Sequence, residues 1–67
     1  MIRKHIGVGF RVILDGNEAE GIAEERGIVI SKPSLRGYCI VRVDVALNAE
    51  DDCIREEHID NMRVDVL

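Results

Sequence analysis

Carboxylates dominate the groups in this sequence that could do chemistry: thirteen Asp and Glu stand against nine Lys and Arg. They gather in two runs. Asp15, Glu18, Glu20, Glu24 and Glu25 form the first, and Glu50, Asp51, Asp52, Glu56, Glu57 and Asp60 the second. Acid–base catalysis by a carboxylate pair needs one member kept protonated by burial or by a close like charge. Both runs lie in polar, loop-like sequence where carboxylates stay solvated and ionised. They read as a solvated acidic surface or as a docking patch for a basic protein, whose association such a patch accelerates. Catalysis is not expected from them.

His5, His58, Cys39 and Cys53 are the only softer metal ligands. No Cys-x-x-Cys or His-x-x-x-His spacing joins them, so no metal centre and no cofactor are expected. Cys-His catalysis would need a thiolate held by an adjacent imidazole. Cys53 and His58 are near in sequence, but Cys53 reads instead as a small apolar residue facing a core. Gly7-Val8-Gly9 lacks the third glycine and the following helix of a dinucleotide site.

A formal net charge of -4 lowers the expectation of non-specific nucleic-acid binding. Basic residues are nevertheless spread along the chain. Arg3 and Lys4 form a short basic arm, and Lys32 and Arg36 flank a turn. These four are the contacts expected if the protein does bind nucleic acid. Only Phe10 and Tyr38 could stack on bases, a poor platform.

Any such group must be positioned by a small fold. The 67 residues make one domain with a thin core, drawn from Val, Ile and Leu, with residues 1–8 either a flexible arm or an extra edge strand. No apolar run is long enough to span a bilayer, and no signal peptide is recognisable, so a cytoplasmic protein is expected. Turn residues at Asp15-Gly16-Asn17, Gly27, Lys32-Pro33-Ser34, Gly37 and Asn48 to Asp52 divide the chain. Between them lie five β-branched runs: 10–14, 27–31, 38–45, 52–55 and 62–67. The third has the clearest alternation, with Cys39, Val41, Val43 and Val45 on one face and Arg42 and Asp44 on the other. In the last, Met62, Val64 and Val66 share a face. Asn17 to Arg26 reads as a long acidic loop with one helical turn, an amphipathic helix being the alternative. Residues 56–60 read as a 3₁₀ turn with Ile59 inward.

Strand, long loop, three further strands, a 3₁₀ turn and a final strand resembles the order of the SH3-like and KOW-like small barrels. Gly9-Phe10-Arg11-Val12, Gly27-Ile28-Val29-Ile30, Gly37 to Asp44 and Cys53 to Ile59 carry the resemblance, which spans residues 9 to 66. It implies a mainly β fold, a five-stranded SH3-like barrel with a long acidic loop after strand one. The type II dihydrofolate reductase is also such a barrel, but its pore segment Val-Gln-Ile-Tyr has no counterpart in Asp52-Cys53-Ile54-Arg55, so reductase activity is not implied. In such a barrel the long first loop lies near the turn before strand three, which would put Tyr38 beside the first acidic run. The expected function is therefore non-catalytic protein binding through Asp15, Glu18, Glu20, Glu24 and Glu25, with Tyr38 as aromatic anchor. Nucleic-acid binding and homo-oligomeric assembly through strand edges are the alternatives.

Overall fold

Period-two patterning decides which side of each strand is buried, and the register then decides which side chains meet. A computed structural model describes residues 5–66. Its strands are β1 (Arg11–Leu14), β2 (Glu25–Val29), β3 (Tyr38–Val43), β4 (Ile54–His58) and β5 (Met62–Val64). They pair antiparallel in the order β4-β3-β2-β1-β5, the SH3-like order, and the sheet curls into a half-barrel. Two 3₁₀ turns, Glu18–Glu20 and Ile59–Asn61, are the helical elements among the described residues.

The concave face holds the core: Val12, Leu14, Val29, Cys39, Val41, Val43 and Met62, joined by Ile6 from ahead of β1. Ile6 is buried and Gly9 donates its N–H to the Val29 carbonyl, so residues 5–9 are neither free arm nor strand. Residues 1–4, with the basic pair Arg3 and Lys4, lie outside the described residues. Ile13 points to the convex face yet is also buried. Its register neighbours there are Arg26 and Arg63, whose aliphatic stems can cover it while their heads reach carboxylates.

Several strand boundaries differ from the sequence expectation. β2 begins at Glu25, so Gly27 is a buried strand residue rather than a break. β4 runs Ile54–His58 and takes in Glu56 to His58, expected as a turn; the 3₁₀ turn starts one residue later. Charges are admitted in β4 because it is an edge, where they discourage pairing with another chain. β5 ends at Val64, leaving Val64 partly exposed and Val66 largely so.

Cys53 lies just ahead of β4 with a left-handed φ of 65°, half-buried at the core margin. The N–H of Val43 donates to its carbonyl at 2.8 Å, which sets Val43 opposite Cys53. Cys39 lies four residues along β3, about 13 Å away at strand rise, beyond the ~7 Å reach of a disulfide. Both thiols are free, and burial raises the pKa of Cys39. Native alkylation followed by non-reducing mass spectrometry should modify Cys53 first and Cys39 only after denaturation. An intramolecular disulfide, or the reverse order, would contradict this register.

Candidate functional site

The first loop is a closed knuckle. Asn17 accepts the Glu20 N–H through its side chain at 3.3 Å and exchanges two backbone hydrogen bonds with Ile22. Gly21, at a left-handed φ of 71°, closes the 3₁₀ turn. The knuckle turns Ile22 outward. Across from it the chain leaves β3 and exposes Val45 and Leu47. Ile22 is 52%, Val45 75% and Leu47 75% exposed. These side chains, with Ala23 and Val43, line a mainly apolar groove of about 640 Å³, to which Glu24, Glu25, Arg26 and Asp44 also contribute.

One ion network builds this groove from below. The Arg55 guanidinium spans Glu25 of β2 at 3.0 Å and Asp51 of the β3–β4 loop at 2.7 and 2.9 Å. Arg55 is on the concave side of β4 by its register with Val41, and its side chain is only 17% exposed. Asp51 in turn accepts the backbone N–H groups of Leu47 at 2.8 Å and Cys53 at 2.9 Å. Its carboxyl is held far below the usual carboxylate range, by the Arg55 hydrogen bonds first and these amides second. Arg55 thereby ties a groove-lining strand to the loop that presents Leu47.

The carboxylates expected to bind a partner divide into two kinds. Asp15 and Glu24 share Arg63, at 2.8 and 2.6 Å, and this bond lowers the Glu24 pKa. Glu25 is held by Arg55. Three of the five therefore have internal partners. Glu18 and Glu20 project from the exposed 3₁₀ turn with no side-chain bond among the described residues. Tyr38 is not beside them, contrary to expectation. It begins β3, whereas the loop packs at the far end of that strand, about 20 Å away along the chain direction. The cause is the loop's own closure: it folds back on itself and onto Arg63 rather than along the sheet.

Tyr38 meets His58 edge-on, with ring centroids 5.1 Å apart. His58 Nδ1 accepts the Asp60 N–H at 3.0 Å, so Nε2 carries the hydrogen and donates to the Arg36 carbonyl at 2.8 Å. Lys32 and Arg36 are exposed on this β2–β3 loop, around Leu35 at 97% exposure. Lys32 and Arg36 thus lie at the opposite end of the sheet from the acidic candidates.

Ile22, Val45 and Leu47 were not among the residues expected to form a site. For Ile22 and Leu47 the one signal is that large apolar residues stand in polar loops outside any alternating pattern; Val45 reads as the inward end of strand three, but β3 ends at Val43 and leaves it exposed. Among the described residues no three His, Cys, Asp or Glu side chains gather as a metal site, and no helix is long and apolar enough to cross a membrane. No protein-family model, curated protein or solved structure matches the chain.

Proposed function

We propose that this domain is a non-catalytic protein-binding module whose groove takes an apolar segment of a partner flanked by basic residues. The observation that carries this reading is the exposure of Ile22, Val45 and Leu47, from two separate loops, around one groove. Apolar anchors in a groove supply binding energy. The unpartnered Glu18 and Glu20 beside Ile22 supply attraction for a basic flank and speed its approach.

Affinity capture from native lysate, at low and high salt, tests the reading with two variants. Val45→Asp/Leu47→Asp should abolish capture, since both positions are exposed and the substitutions leave the core intact. Glu18→Lys/Glu20→Lys should weaken it several-fold at low salt and less at high salt, because exposed charges are screened beyond about 8–10 Å. A protein captured equally by all three forms would refute groove binding. Recovery of nucleic acid that is lost on Lys32→Glu/Arg36→Glu would favour the opposite end of the sheet instead.

A further inference from the structure

The central strands are apolar on both faces, which is the pattern of a sheet covered on both sides. Ile28 and Ile30 of the β2 run, and Ile40 of β3, alternate with core residues and therefore point to the convex face. The register sorts them into two rows. Ile28, Arg42 and Ile54 lie side by side across β2, β3 and β4. Ile30, Ile40 and Glu56 lie in the next row, through the Ile30 N–H to Ile40 carbonyl bond and the Ile40–Glu56 pairing. Ile28 and Ile40 are half-buried, and Ile30 and Ile54 are exposed.

Arg42 and Glu56 interrupt these two rows, and Arg11 flanks the first on β1 beside Ile28. Every other arginine on the described strands holds a carboxylate: Arg11 with Asp44, Arg26 with Asp65, Arg55 with Glu25 and Asp51, Arg63 with Asp15 and Glu24. Among the described residues Arg42 alone holds none, and Glu56, its diagonal neighbour on the same face, holds no cation. One unpaired cation and one unpaired anion on a single apolar face make that face complementary to itself.

We infer that the convex face is the interface of a twofold dimer with a second copy of this chain. A twofold axis lying between the two faces, midway between Arg42 and Glu56, sets Arg42 of each copy against Glu56 of the other and stacks the isoleucines between them. Such an isologous contact is the commonest way small domains associate. It leaves the groove free, so it stands or falls apart from the binding reading above. The charged edge of β4 opposes the alternative of strand-edge pairing.

Light scattering after gel filtration, from micromolar to about millimolar protein, tests the dimer. Wild-type chain should approach twice the monomer mass. R42E and E56R, at exposed positions, should each weaken association by about tenfold or more through like charges across the axis. Mixing the R42E chain with the E56R chain should restore association as a heterodimer, because each then faces its opposite. If a reversal fails to fold by circular dichroism, R42Q and E56Q replace it: each weakens the dimer, and mixing them restores association only in part, because the heterodimer keeps one of the two Arg42–Glu56 contacts. A wild-type chain that stays monomeric, a dimer indifferent to these substitutions, or reversed chains that fail to associate on mixing would overturn the inference.

Discussion

Gly27→Ala should cost the chain much of its folding stability. Gly27 pairs with Val43 at the point where β2 and β3 come closest. A Cβ there would lie 2.8 Å from the Val43 Cα and closer still to the Arg42 carbonyl oxygen. Both obstacles are backbone, so no rotamer change can make room and the two strands must separate. Over-packing of a well-filled interior costs about 1–3 kcal/mol, and loss of strand pairing adds to it. A domain of this length has a total stability of roughly 3–10 kcal/mol, so the substitution removes much of it. Gly21→Ala is the control. It has a left-handed backbone but nothing within 4 Å of a Cβ, so it should cost only about 1 kcal/mol. Circular dichroism and amide chemical-shift dispersion distinguish the two. A Gly27→Ala protein as stable as Gly21→Ala would refute the close approach of β2 and β3.

Arg55→Leu should lower the melting temperature by about 10 °C, from a loss of about 2 kcal/mol. The change removes every charge-assisted bond that Glu25 and Asp51 share and leaves two carboxylates facing each other across the groove wall. Acid should act on the same network. The carboxyl of Asp51 has a folded pKa below its unfolded value of about 3.9. Its contribution is therefore full above about pH 4 and is lost as the pH falls into the strongly acid range where folded Asp51 protonates. Asp44 and Glu24, lowered by Arg11 and Arg63, add losses of the same sign. Thermal melts from pH 7 to pH 2 should show wild type losing stability below about pH 4 and Arg55→Leu losing less over that range. Equal slopes would mean that Asp51 draws no stability from Arg55. Because Asp51 also holds the Leu47 amide, the variant should capture the groove partner less well even where it is folded.

The core strands were legible because each carries its own signal. Cys39, Val41 and Val43 are buried and alternate with the half-buried Ile40 and the exposed Arg42. The single helical turn of the first loop was legible too, although its end at Gly21 was not. What failed to show was anything carried by a distant partner. Glu25 reads as one more loop carboxylate until Arg55, thirty residues on, is brought to it. The second half of β4, Glu56 to His58, reads as a charged turn because edge strands do not need alternation. The position of Tyr38 depended on whether the first loop lies along the sheet or closes on Arg63, and local sequence does not decide that. The groove was hidden for a related reason, since Ile22 and Leu47 belong to loops whose meeting is set by the sheet between them.

The short last strand carries more than its length suggests. β5 is three residues long, yet it supplies Met62, the largest of the fully buried side chains, and pairs with β1. The other three pairings join strands that follow one another along the chain. This one alone joins the first strand to the last, across Val12 and Val64. Its closure is the least local of the four, so it follows the pairing of the β1–β4 meander. Until then the Val12 and Leu14 face lacks its lid, and one edge of β1 has its backbone groups open. The interval between pairing of the meander and docking of Met62 is thus when this chain is most exposed to mispairing with its neighbours, a hazard set by topology rather than by final stability.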